Sequence, residues 1–160
     1  MPSSLKIGAV SGLVAGLVAG IVGTFVAGMV LSTGLTYFLL PPPIAPIPSI
    51  AVNEIALTLI WGVILGAIYS KAYPVIPGKG FAKGLIYGLF CHLILGIRYS
   101  TFMLAYGIIG EVAGQNITGF PKWITYGLAL GILYGILHNR YHVPKEEVKI
   151  VSYGLGSGVA

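Results

Sequence analysis

The sequence predicts an all-α, polytopic membrane protein of four transmembrane helices with glycine-rich packing faces, forming a single membrane domain over residues 1–160. Three observations predict it. Hydrophobic residues make up 56% of the chain and charged ones 8%, whereas a soluble domain is about a quarter charged and needs polar surface to stay in solution. Long apolar runs alternate with short stretches rich in Pro, Gly or Lys. The 24 glycines would be costly in soluble helices, but Gly is more frequent in transmembrane ones.

The net charge of +5 does not point to nucleic acid, because the basic residues sit at the ends of apolar segments. Cys91 is the one cysteine, so no intrachain disulfide can form. The chain has no Asp, one Gln and three Asn, a thermophile-like scarcity of labile side chains.

The first helix is expected over about 7–33. Residues 7–53 carry no charge, and the apolar run exceeds the ~7–15 residues of a signal-peptide core. Gly8, Gly12, Gly16 and Gly20 recur every four residues. At about 3.6 residues per turn they share one face, where another helix backbone can approach closely. Pro41, Pro42, Pro43, Pro46 and Pro48 end the helix, and segment 41–48 is expected to be extended and interfacial. The second helix, about 49–73, carries Gly62 and Gly66 on one face and Asn53 and Glu54 near its outer end.

A basic loop follows, KAYPVIPGKGFAKG over Lys71–Gly84, with three lysines and no acid. Such a loop stays on the cytoplasmic side of a membrane. The third helix, about 80–106, places Gly80, Gly84, Gly88, His92 and Gly96 on one ladder. His92 therefore faces protein, and with Asn53 forms a candidate polar core. An outer loop over 107–121 is expected next. Lys122 and Trp123 then open the fourth helix, about 122–139, which carries Gly127 and Gly131. A cytoplasmic tail occupies 140–160.

Charge sets the orientation. Lys6, Lys71, Lys79, Lys83, Arg140, Lys145 and Lys149 lie on the side of the central loop, and Arg98 and Lys122 on the other. The excess places both termini in the cytoplasm of a multi-pass cell-membrane protein. Asn116-Ile117-Thr118 is a glycosylation sequon on the outer side. A repeat is also visible. WGVILGAIYS at Trp61–Ser70 matches YGLALGILYG at Tyr126–Gly135, and Gly8, Gly12 and Gly16 match Gly80, Gly84 and Gly88. Each match links helices of the same direction, as in a parallel duplication of a two-helix hairpin.

Charged residues inside spans mark candidate sites. Glu54 stands about 7 Å and Arg98 about 12 Å from the outer helix ends by helix rise, so an intramembrane pair between the second and third helices is expected. Two groups snorkelling separately to the interface is the plainer alternative. Cys91 and His92 do not complete a zinc or copper site. His138 and His142 lie about 15 Å from the level of His92, too far for a bis-His haem. No cofactor, metal or catalytic set is expected, since Walker, dinucleotide, zinc-protease and triad motifs are missing. The resulting expectation is a non-catalytic accessory subunit of a larger membrane complex, of a respiratory or oxidase kind, assembling with partner helices through its Gly-rich helix faces. Its partners would be the lipid bilayer and other membrane subunits or further copies of itself, with no nucleic acid. The alternative is a small oligomeric transporter or channel using Glu54 and Arg98.

Overall fold

The computed structural model describes residues 3–32, 47–105 and 109–141, with side chains described outside 30–32, 47–50, 96–105 and 109–115. The described residues form four helices: α1 (Ser4–Ser32), α2 (Ile47–Ala72), α3 (Phe81–Ala105) and α4 (Ile109–Arg140). Three contain stretches long and apolar enough to cross a membrane: Ser4–Met29, Ala51–Ala72 and Asn116–Arg140. In α3 the apolar stretch with described side chains is the shorter Phe81–Leu95.

Local chemistry sets the helix ends. Ser3 caps α1, its Oγ accepting from the Lys6 N–H at 3.4 Å. Pro48 falls in the first turn of α2, where its missing N–H breaks no helical bond. The rest of the Pro-rich segment 41–48, over 41–46, lies outside the described residues, as does the tail from 142 onward. Lys71 in the last turn of α2 complements the helix dipole. Gly78 and Gly80 have φ of 98° and 51°, a left-handed backbone that side chains disfavour. Gly80 therefore belongs to the turn, and α3 starts one residue later than the ladder suggested.

The largest departure from the sequence reading is at α4. An outer loop was expected up to Pro121, yet α4 runs from Ile109 and takes Pro121 into its interior. Proline removes one backbone donor, but membrane helices tolerate it where neighbouring groups and local adjustments compensate. Gly119 is buried against the His92 ring, with a Cβ built there lying 3.6 Å from it, so this segment is packed onto α3. Asn116 consequently stands on a helix and not in a loop.

The helices pack in antiparallel pairs. Along α1, Gly8 meets Gly66 and Ser70, Gly12 meets Gly62 and Gly66, Gly16 meets Thr58 and Gly62, and Gly20 meets Thr58 and Ile55. A Cβ at Gly12 would lie 2.7 Å from the Gly66 Cα, and one at Gly62 would lie 3.0 Å from the Gly16 Cα. Side chains at these positions would push the backbones apart. In the second pair, Gly84 meets Gly127 and Gly131, and Gly88 meets Trp123 and Gly127.

The two pairs join mainly through α1 and α4. Ile7, Ser11, Ala15 and Ala19 form a buried row beside the α1 glycines. Helices α2 and α3 meet through long side chains, the Tyr87 hydroxyl donating to the Leu65 carbonyl at 2.9 Å. The remaining α1 surface, from Val10 through Leu13, Leu17 and Ile21 to Phe25, is exposed and apolar.

Candidate functional site

Glu54 and Lys122 form the charged centre of the described structure. Lys122 Nζ lies 2.7 Å from Glu54 Oε1, with the side chains 19% and 30% exposed respectively. Three helices build this site. Glu54 stands near the start of the α2 span and Lys122 near the start of the α4 span. Gly23 of α1 forms the floor, since a Cβ there would lie 3.1 Å from Lys122 Cδ and 3.3 Å from Glu54 Oε1. Lys122 Nζ also lies 5.7 Å from the Trp123 ring centroid. Each charge removes the cost of leaving the other unpaired in an apolar setting, where removal of one partner is strongly destabilising.

Beside the pair is a cleft lined by Ala19, Thr58, Trp61, Gly62, Lys122, Trp123 and Tyr126, with a volume of about 10 Å³. That is room for about one water molecule. Thr58 turns its hydroxyl back to the Glu54 and Ile55 carbonyls at 2.9 and 3.0 Å, and Tyr126 donates to the Gly62 carbonyl at 3.1 Å. The polar groups lining the cleft are thus largely engaged with protein.

The expected partner of Glu54 was Arg98. Lys122 is the cation the structure places on Glu54, and the Arg98 side chain lies outside the described residues. Lys122 was read as the opening residue of the fourth helix. The longer α4 puts it well inside a helix instead. Asn53, expected in a polar core, is exposed. It is one residue, about 100° around the helix, from Glu54, and so turns away from the junction. His92 does face protein, edge-on to Phe120 with ring centroids 5.5 Å apart. Cys91 is buried. The glycines named as packing positions, Gly8, Gly12, Gly16, Gly20, Gly62, Gly66, Gly84, Gly88, Gly127 and Gly131, are all buried.

The sequence reading missed a tyrosine cluster toward the other end. Tyr69 is fully buried, with ring centroids 5.0 Å from Tyr87, 5.3 Å from Tyr134 and 5.6 Å from Tyr73. Tyr134 stacks on His138 at 5.4 Å. Lys83 Nζ lies 4.4 Å from the Tyr73 ring centroid and donates to the Tyr73 carbonyl. A signal was present: Tyr69 and Tyr134 are the matched tyrosines of the two repeated segments.

These features define a helical membrane protein with an inter-helix charge pair and an aromatic core among the described residues. No protein-family model, curated protein or solved structure matches the chain.

Proposed function

We propose that the chain is a non-catalytic accessory subunit embedded in a larger membrane complex, for example of the respiratory or oxidase kind. The supporting observation is how its interior is used. The glycine ladders are closed within the chain, the Glu54 charge is met by Lys122, and the cleft beside them holds about one water. Such an interior suits rigid packing better than passage of a solute. In this reading the contact face toward other subunits is the apolar side of α1 from Val10 to Phe25, because the glycine faces are occupied. The two helix pairs are duplicated hairpins, supported by the equivalent crossings at Gly12 and Gly84. Both termini lie in the cytoplasm, supported by the lysine asymmetry.

Purification from native membranes in mild detergent tests the assembly. A discrete large complex with other polypeptides is expected, and a chain that always runs alone or with copies of itself contradicts it. Cysteines introduced at Ser3 and Ser157 should be shielded from an impermeant thiol reagent in intact cells, while one at Gln115 reacts.

A second reading, a small oligomeric transporter or channel with Glu54 and Arg98 as its polar site, is favoured by the placement of the Glu54–Lys122 pair at the cleft. Ion or solute flux in proteoliposomes that disappears in Glu54→Gln would select it.

A further inference from the structure

We propose that the end of the bundle opposite the Glu54–Lys122 pair is a binding surface for the headgroups of anionic phospholipids. The inference rests on the chain lying in a bilayer, and not on its being an accessory subunit.

Packing brings four helix termini to this end. Gly8 near the start of α1 meets Ser70 near the end of α2. Tyr73, just past α2, lies 5.5 Å from His138 near the end of α4, measured between ring centroids. Lys83, in the first turn of α3, sits over Tyr73. The described cations here are Lys6, Lys71, Lys79, Lys83 and Arg140.

Lys83 is held in place. One of its three N–H donors goes to the Tyr73 carbonyl and the ammonium rests on the Tyr73 ring. Its other donors are presented with little rotamer freedom left to lose. Lys6, Lys71, Lys79 and Arg140 are exposed around it. The same level carries exposed apolar side chains: Leu5, Val75, Phe81 and Tyr141. Cations interleaved with apolar groups match an amphiphile, with phosphate on the lysines and acyl chain beside Phe81 and Val75. An acidic soluble partner would use the cations and leave the apolar groups without a role. Basic residues clustered at the end of a membrane helix attract anionic lipid, each contributing separately.

The test uses the full chain in detergent and native mass spectrometry, with phosphatidylglycerol and phosphatidylcholine of identical acyl chains as probes. Phosphatidylglycerol should be retained preferentially at low ionic strength, and the preference should fade in high salt. The variant Lys79→Gln/Arg140→Gln should lower phosphatidylglycerol affinity about thirtyfold while the melting temperature without lipid is unchanged. Equal retention of the two lipids overturns the proposal, as does full retention by the variant. Displacement of the lipid by an equal concentration of inorganic phosphate would mean a free-anion site and also overturns it. Capture of an acidic soluble protein without lipid preference does the same.

Discussion

The α1–α2 and α3–α4 pairs cross in the same way and fill the space beside the crossing differently. A Cβ built at Gly12 meets the Gly62 carbonyl and Gly66 Cα, and one at Gly84 meets the Gly127 carbonyl and Gly131 Cα. At the next turn, Gly16 meets Thr58 and Gly62, and Gly88 meets Trp123 and Gly127. The offsets are the 72 and 65 residues that separate the sequence repeats, which supports the proposed duplication. The neighbouring row differs. Ala15 and Ala19 in α1 correspond to Tyr87 and Cys91 in α3, all buried. Small side chains let α1 lie directly on α4. Tyr87 holds α3 off α2 and bonds the Leu65 carbonyl across the gap. Glycine thus fixes the crossing within each pair, and the side chain one position away fixes how the pairs meet.

Several substitutions would break or sharpen this comparison. Gly12→Leu and Gly84→Leu should have the largest effect, each abolishing a monodisperse folded species on size-exclusion chromatography. If both elute as wild type, the crossings do not hold the pairs. Ala15→Tyr, which gives α1 the side chain of α3, should cost about 3 kcal/mol or more, beyond typical overpacking because the site is fully buried. A thermal melt with an unchanged midpoint would show that α1 and α4 can separate as α2 and α3 do. Tyr87→Phe should cost about 1 kcal/mol through its lost hydrogen bond. By contrast, Tyr69→Phe should leave the melting temperature unchanged or raise it, because the buried Tyr69 hydroxyl has no hydrogen-bond partner among the described residues. No described residue comes within 4 Å of a Cβ built at Gly135, so Gly135→Ala should stabilise by roughly 0.5–1 kcal/mol. Destabilisation there would place an unseen neighbour on α4.

Much of the fold was readable because membrane helices announce themselves by composition and length. The four-residue glycine ladders pointed to one face of each helix, and the structure buries those faces within the chain. Contacts set by tertiary geometry were not readable. Lys122 is 68 residues from Glu54, and its role depends on α4 continuing through Gly119 and Pro121, two residues that locally favour a turn. Reading them as a loop put Lys122 at the opening of the fourth helix, so its contact with Glu54 was not foreseen. Asn53 was misjudged for a related reason. Only position along the helix was weighed and the angle around it was left open, and one residue separates Glu54, which faces the junction, from the exposed Asn53. Tyr69 and Tyr134 were seen as a repeat, yet nothing local says that the repeated residues touch.

The central claim is that the two helix pairs are locked by a charge pair between α2 and α4, over Gly23 of α1. Exchanging the charges tests it most directly, with thermal melts of Glu54→Lys, Lys122→Glu and the double exchange in one detergent. Each single change leaves two like charges at the junction and should lower the midpoint strongly, while the double exchange should recover most of the loss. A double exchange as unstable as the two single losses added together would contradict the claim.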